Sequence, residues 1–295
     1  MDTYPLVTVL IPAYNHEKYV QDTLLSILNQ TYKNIELIII NDGSTDNTGK
    51  VISQLRERCN KRFINFKYIS RENKGLLNTL KEMELYISGK YLITFASDDI
   101  SLPQRIEKQV EILEKNSEYS LCYTSLKYID QNSVVLDKLH KIKYCKSGNV
   151  FESLLYKNFI PAPTVMMRSN VFNELNGYSS DFDFEDYPLW LKIAYKYKII
   201  FLNEELVNYR LHPDNMSKNL IKTILAIESV LYSWKDEDIF PKVIKKFYLN
   251  SFYELARSTE DYKEEIVLFK NKALKSWYHP KFLKALFRYN KKYVK

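Results

Sequence analysis

The chain has 295 residues, 45% of them apolar and 27% charged, with only six glycines and nine prolines. That length and balance describe one large folded domain, or a domain with an appendage, and exclude disordered, collagen-like and low-complexity chains. The formal charge of +7 is unevenly placed: residues 1–220 carry 27 basic and 27 acidic side chains, whereas residues 221–295 carry 16 and 9.

Residues 6–11 and 35–40 are continuous apolar, β-branched runs, the first stopped by Pro12 and the second by Asn41-Asp42-Gly43. Runs without alternation read as strands buried on both faces. Between them Val20, Leu24, Ile27 and Leu28 recur at helical spacing, and beyond the second run Asp46 or Thr48 can cap a helix carrying Val51, Ile52 and Leu55. A third strand is predicted over 63–69, a helix over 76–87 and a fourth strand over 91–95. Strand and helix in alternation imply an open, mostly parallel α/β sheet with helices on both faces.

Ser101 and Gln104 have the spacing of a capping box, with Pro103 between them, which predicts a helix directly after Asp98-Asp99. Over 120–210 short strands (121–126, 199–202, 206–210) mix with a Pro-rich loop at 160–164 and a helix at 188–197. From about Asn219 only helical periodicity remains. The expected organisation is therefore a sheet domain over 1–218 and a basic helical region over 219–295.

Cys59, Cys122 and Cys145 are odd in number and widely spaced, which argues against a disulfide framework or structural zinc and suits a reducing compartment. The N-terminus lacks a basic stretch ahead of its apolar run, and no window reaches 18 uninterrupted apolar residues, so neither a signal peptide nor a membrane span is expected. The expected location is cytoplasmic.

In open α/β sheets, ligands bind where loops converge at the carboxyl ends of the strands. Four successive strand ends here are polar: Pro12 to Asn15, Asn41 to Ser44, Arg71 to Gly75 and Ser97 to Asp99. No glycine-rich phosphate loop follows any of them, so phosphate must be held in another way. Carboxylates such as Asp98-Asp99 can hold Mg²⁺ or Mn²⁺, and the cation in turn bridges a diphosphate. Capping and solvation of the following helix is the other reading of the same pair.

Val7-Thr8-Val9-Leu10-Ile11-Pro12-Ala13-Tyr14-Asn15, then Ser26-Ile27-Leu28-Asn29-Gln30-Thr31-Tyr32, then Glu36 through Thr48 resemble the opening of the family 2 glycosyltransferases with the GT-A fold. The similarity continues through Glu72 to Gly75, Ser97 to Pro103, Glu185 to Leu191 and Tyr209 to His212, and covers about residues 5–218. It implies an inverting transfer of a sugar from a nucleotide-sugar, in most cases a UDP-sugar, with a divalent metal, to a saccharide or lipid-linked saccharide acceptor in surface-polysaccharide synthesis.

By the same resemblance Pro12, Tyr14 and Asn15 match the first nucleotide-binding turn, Asp42 the acid facing base or ribose, and Asn73 and Lys74 a loop near the diphosphate or base. The Ala-Arg that relatives commonly show a few residues later is Thr79-Leu80 here. Where relatives often read Asp-x-Asp-Asp, this chain reads Ala96-Ser97-Asp98-Asp99. Asp98 keeps the metal-facing place, with Asp99 beside it, Ser97 at the nucleotide, and His212 at a position that reaches metal or diphosphate. Glu185-Asp186 match an acidic pair at the head of the acceptor-side helix, with Asp186 the expected base and capping as its structural role. Arg210 is expected to help neutralise the leaving diphosphate.

The tail has its own signal. After Glu265 no acid occurs, while nine Lys or Arg interleave with Phe269, Trp277, Tyr278, Phe282, Phe287, Tyr289 and Tyr293. Such a mixture over 266–295 suits an anionic membrane surface at the inner face of the cell membrane, against the plainer reading of a solvated helical face. The balanced first 220 residues offer no continuous basic face for nucleic acid. Two rival functions are a nucleotidyltransferase on a related fold, which would need a glycine-rich basic loop after the first strand, and a non-catalytic saccharide-binding relative, suggested by Ala96 and Leu80.

Overall fold

The computed structural model describes residues 4–136, 145–213 and 219–294, and the chain divides into two compact units. One comprises Met1–Phe151, Phe159–Asp181 and Glu185–Pro213; the other comprises Glu152–Asn158, Phe182–Phe184 and Asp214–Lys295. The expected boundary at residue 218 lies outside the described residues.

The first unit opens β1 (Val7–Ala13), α1 (Val20–Leu28), β2 (Ile35–Asp42), α2 (Thr48–Arg62), β3 (Asn65–Arg71), α3 (Leu76–Glu84) and β4 (Tyr91–Thr94). It continues through β5 (Ile100–Ser101), α4 (Arg105–Lys115) and β6 (Tyr119–Ile129); α5 (Phe151–Tyr156) falls almost entirely in the second unit. A 3₁₀ turn (Ala162–Thr164), β7 (Met166–Arg168), α6 (Ser169–Glu174), α7 (Asp186–Lys196) and β8 (Lys198–Arg210) complete it. One eight-stranded sheet results, in the order β3-β2-β1-β4-β7-β6-β8-β5. The pairs among β1, β2, β3 and β4 are parallel, as is β6 with β8, while β7 and β5 run antiparallel to their neighbours.

The core follows from the apolar runs. Every residue of β2 is buried, and Val20, Leu24 and Ile27 of α1 join Val9, Ile11, Leu37 and Ile39 in one cluster. At about 25 cal/mol per Å² of apolar surface, this layer is the main favourable term for the unit. Parallel register sets Ala13 beside Asn41 and Asp42 beside Arg71, so three successive strands deliver their polar ends to one edge.

Several elements differ from the sequence expectation for identifiable reasons. β1 runs through Pro12 to Ala13 because β4 stops pairing at Leu10, leaving β1 a neighbour on one side only, where a missing N–H costs no ladder bond. The capping box does not form: Ser101 lies in β5, its Oγ accepts from Gln30 Nε2 at 3.2 Å, and α4 begins at Arg105 without a side-chain cap. The expected strands at 199–202 and 206–210 are one strand, β8, because the polar Asn203-Glu204 step is absorbed as a register shift against β6. β7, three residues long, carries no periodicity by which a sequence reading finds it.

The second unit holds α8 (Leu220–Tyr232), α9 (Phe240–Arg257), α10 (Lys263–Lys272) and α11 (Pro280–Tyr293). Phe252, Leu255, Ile266, Phe269, Phe282 and Ala285 form its core. Asn219 caps α8 through Lys222 N–H at 3.0 Å, and His279 Nδ1 caps α11 ahead of Pro280. Among the described residues no helix is long and apolar enough to cross a membrane.

Candidate active site

The loops after β1 and β2 interlock. Asn15 sits at φ +51°, a conformation that Asn tolerates better than most residues, and this turns its amide across to the second loop. Its N–H donates to Ser44 Oγ at 3.0 Å and its Oδ1 accepts from Thr45 N–H at 2.8 Å. Asp46 Oδ2 accepts from Glu17 N–H at 3.0 Å, so both turns are held by side-chain acceptors on main-chain donors. Pro12 is half-buried beneath them and Tyr14 is exposed at the rim.

A second cluster forms where β2 and β3 end. Asp42 Oδ1 accepts from Lys74 N–H at 2.8 Å and from the Arg71 guanidinium, which also donates to Glu82 Oε2 at 2.9 Å and Thr79 Oγ1 at 2.9 Å. Burial works against the charge on Asp42, but the Lys74 N–H and Arg71 outweigh it and hold this carboxyl below the usual carboxylate range. Asn73 Nδ2 donates to the Asp42 carbonyl at 2.8 Å, and Lys74 Nζ reaches Glu82 at 3.4 Å. Gly43 is required here: it sits at φ +67°, and a Cβ would run into the Asn73 backbone.

The third cluster gathers three distant segments beyond β1, β4 and β8. His16 Nδ1 and Ser97 Oγ are 2.7 Å apart, His212 Nε2 and Asp98 Oδ2 are 2.8 Å apart, and the two imidazoles meet edge to face with centroids 5.7 Å apart. His16, Asp98 and His212 each bring a ligand atom to a common point, all within 4.8 Å of one another. Two imidazole nitrogens and a carboxylate oxygen make a chemically sound set for a divalent transition metal.

Arg210 and Asp99 hold this cluster from behind. Arg210 is buried; Nε donates to the Asp98 carbonyl at 2.8 Å, Nη1 to the Asp130 and Gln131 carbonyls and Ser133 Oγ, and Nη2 to Asp22 at 3.1 Å. Its own N–H donates to Asp99 Oδ1 at 2.8 Å. Asp99 is fully buried, and burial together with neighbouring Asp98 pushes its carboxyl well above the ordinary range. Arg105 lies inside the same core against the Phe95 ring at 4.9 Å, and burial lowers its guanidinium to about 9.

Glu185 and Asp186 stand half-buried at the start of α7. The cap position is Glu185, and it makes no side-chain cap bond; Asp186 Oδ1 accepts from Tyr187 N–H at 2.6 Å. Burial and neighbouring Asp186 push Glu185 up to about 7, and burial raises Asp186 as well. Among the described residues no hydrogen bond joins this pair to the histidine–aspartate cluster.

The residues named from sequence thus fall into four groups: Pro12, Tyr14 and Asn15 in the first turn, Asp42, Asn73 and Lys74 in the second cluster, Ser97, Asp98 and His212 in the third, and Glu185 with Asp186 on α7. The guanidinium of Arg210 is spent on protein acceptors, and Asp99 faces inward rather than toward the ligand atoms. Two residues were missed. His16 is a lone histidine in a turn, with nothing at fixed spacing to mark it, and Arg71 lies 29 residues from the carboxylate it holds.

A family model described as glycosyl transferase family 2 matches residues 8–175. An uncharacterized glycosyltransferase of Haemophilus influenzae is 33% identical over 277 residues, 88% of this chain and 84% of that protein. The O-antigen biosynthesis glycosyltransferase WbnJ of Escherichia coli is 30% identical over 228 residues, 73% of this chain and 84% of that one. Among solved structures, the mannosyltransferase PcManGT of Pyrobaculum calidifontis, in complex with GDP-Man and Mn²⁺, superposes with a TM-score of 0.67 at 15% identity, covering 99% of this chain and 88% of that chain. S. aureus TarS residues 1–349, in complex with UDP-GlcNAc, gives a TM-score of 0.65 at 14% identity, with 98% and 91% coverage. At that identity these two speak for the fold.

Proposed function

The chain belongs to glycosyl transferase family 2 and has the GT-A fold, and from that premise we propose that it is an inverting, metal-dependent enzyme moving a sugar from a UDP-sugar to a saccharide or lipid-linked saccharide in surface-polysaccharide synthesis. The observation that carries this reading is the convergence of Asp98 and His212 at the sheet edge where Asp42, Asn73 and Lys74 also gather. Asp98 and His212 would hold a divalent cation, which would supply charge neutralisation for the departing diphosphate.

The chain's own groups divide the rest of the work. Asp42 is held ionised and accepts hydrogen bonds from base or ribose, and the first turn, with Pro12, Tyr14 and Asn15, walls the nucleotide. Lys74 adds a cation near the diphosphate. Arg210 positions Asp98 and Asp99 rather than touching substrate. In a single displacement the acceptor oxygen attacks the anomeric carbon, the bond to the diphosphate breaks with its electron pair going to UDP, and Asp186 takes the acceptor's proton. A carboxyl whose proton affinity burial raises is suited to that task, and Glu185 at the cap position makes no side-chain cap bond.

The helical unit supports the lipid-linked form of the acceptor. On α11 the residues Lys281, Lys284, Arg288, Lys291 and Lys292 share one stripe, Leu283 and Phe287 another, and Phe282, Ala285 and Tyr289 the buried one. Trp277, Tyr278, Leu283 and Phe287 are 66%, 62%, 53% and 70% exposed, so the second apolar stripe is not used by the core. Ala256, Arg257, Arg288, Lys291 and Lys292 line a cleft of about 440 Å³. A cationic cleft between α9 and α11 and an apolar stripe on α11 suit an anionic headgroup surface.

The test is a screen of nucleotide-sugars for hydrolysis and transfer, with Mn²⁺, Mg²⁺ or EDTA. UDP release from one UDP-sugar in the presence of metal is expected. Turnover undiminished by EDTA would overturn the metal dependence, and absence of turnover with every donor would overturn the enzymatic reading.

A further inference from the structure

We propose that His16 is the third protein ligand of the cation, so that the site is a two-imidazole, one-carboxylate set that takes Mn²⁺ and its transition-metal neighbours in preference to Mg²⁺. This deepens, and rests on, the reading of Asp98 and His212 as metal ligands.

The geometry is built rather than incidental. The left-handed turn at Asn15 places His16 at the mouth of the sheet, and the His16 N–H is fixed on Thr48 Oγ1 at 2.8 Å, the first residue of α2. Its ring is held on one side by Ser97 Oγ at 2.7 Å from Nδ1 and on two others by the rings of Tyr19 and His212, with centroids 6.0 and 5.7 Å away. In the tautomer with the proton on Nδ1, the imidazole donates to Ser97, the outer hydrogen bond that metal-binding histidines commonly make. Donors bound at about 2.1 Å from one cation stand roughly 3–4 Å apart. The ligand atoms of His16, Asp98 and His212, all within 4.8 Å, need only a small contraction.

Asp99 does not compete for the place. It is fully buried, with Oδ1 on the Arg210 N–H. Position 96, where a further carboxylate would stand ahead of Asp98 and Asp99, is alanine. His16 thus brings the set to two nitrogen donors and one oxygen donor, and this changes which cation is favoured. Mg²⁺ wants oxygen ligands and gives up water reluctantly, whereas imidazole binds the later divalent metals well. Two imidazoles out of three protein ligands tilt the site away from Mg²⁺, and the diphosphate oxygens of the donor complete a shell that Mn²⁺ accepts.

The experiment measures binding in the full chain with UDP present, by the electron paramagnetic resonance signal of free Mn²⁺ and by Mg²⁺ competition. Wild type should hold Mn²⁺ at least about tenfold more tightly than Mg²⁺. His16→Ala should weaken Mn²⁺ on the order of tenfold to a hundredfold, the scale of losing a well-made metal contact. Its Mg²⁺ affinity should move by no more than about threefold, and His16→Asp should raise Mg²⁺ relative to Mn²⁺ by restoring oxygen. Spin-echo modulation on Mn²⁺-loaded wild type should count two coordinated imidazole nitrogens, and one in His16→Ala. The wild-type count needs no variant and stands even if His16→Ala fails to fold. One nitrogen in wild type, or an unchanged Mn²⁺ affinity in a folded His16→Ala, overturns His16 as a ligand and leaves the metal reading intact. Wild type that binds no Mn²⁺, with Asp98→Asn indistinguishable from it, overturns both.

Discussion

The strand ends of the sheet unit and the last helix of the helical unit treat positive charge in opposite ways, while elsewhere in the helical unit Lys272 and Arg257 pair with Glu228 and Glu254. In the sheet unit, cations at the strand ends are answered by carboxylates at close range: Arg71 by Asp42 and Glu82, and Arg210 by Asp22. In the helical unit, none of the described basic side chains of α11 forms an ion pair. Lys292 donates to the Glu260 carbonyl at 2.5 Å and to that of Ser258 at 3.3 Å, Arg288 lies over the Tyr253 ring at 5.1 Å, and Lys281 donates to Asn250 at 2.9 Å. Charge that is paired and buried fixes positions and is little screened by salt, whereas charge that is exposed and unanswered attracts from a distance and is screened strongly. The first arrangement suits chemistry, the second recruitment.

If that contrast is right, the largest effects follow from removing one member of a buried set. Asp98→Asn should abolish turnover and the metal-dependent part of UDP binding, measured by calorimetry with and without EDTA. Equal UDP affinity in wild type and variant, whatever the metal, would show that Asp98 does not serve the nucleotide through a cation.

Next in size is Asp186→Asn, with kcat lower by roughly 10²–10⁴ and donor affinity close to wild type. Because the base must be unprotonated, wild-type kcat/KM should rise with pH through about 7, the region to which burial and Asp186 push Glu185. The acidic pair titrates as a unit, so this limb belongs to both groups. Stability has the opposite sign: a carboxyl whose folded pKa is raised favours the fold below its ordinary range and loses that contribution as pH rises through about 7. Glu185→Gln should therefore melt higher than wild type at pH 8, but not at pH 4. A variant equally stable at both would mean that the pair carries no buried strain.

Arg210→Met should cost about 3 kcal/mol in chemical denaturation, since Asp22, Ser133 and three main-chain carbonyls lose their donor together. A loss under about 1 kcal/mol would mean that water replaces the guanidinium easily.

How much of this was legible in the sequence depends on whether the signal was local. The buried parallel strands were, because β-branched runs such as 35–40 bury both faces and nothing else in the chain resembles them. So were Asp42, Asp98 and His212, through motifs that sit at strand ends. Ser101 misled because its spacing to Gln104 fits a cap, while a distant partner, Gln30, claims the hydroxyl. Arg71 and His16 were hidden for the same reason: their meaning lies in Asp42 and Ser97, 29 and 81 residues away, and no spacing rule reaches that far. The tail was half legible. Its acid-free basic run was plain, but the division of its aromatics was not: Phe269, Phe282 and Tyr289 are core, and Trp277, Tyr278 and Phe287 are surface.

That division gives the smallest and most selective expected effect. Leu283→Ser with Phe287→Ser removes the exposed apolar stripe of α11 and leaves Phe282, Ala285 and Tyr289 in place, so the fold should melt as wild type. Binding to liposomes with anionic headgroups should weaken several-fold, and donor hydrolysis should not change. Replacing Lys284 and Lys291 with Gln tests the neighbouring stripe; each removes about 1 kcal/mol of attraction at physiological ionic strength. Salt separates the two contributions, because the Debye length falls from about 10 Å at 0.1 M to about 3 Å at 1 M while apolar burial is not screened. Wild type should thus lose most of its binding in high salt, and the Ser variant should lose what remains. Binding of wild type to neither neutral nor anionic liposomes would return α11 to an ordinary solvated helix. Its basic stripe would then serve solubility rather than a surface, and the contrast between the two units would be one of composition alone.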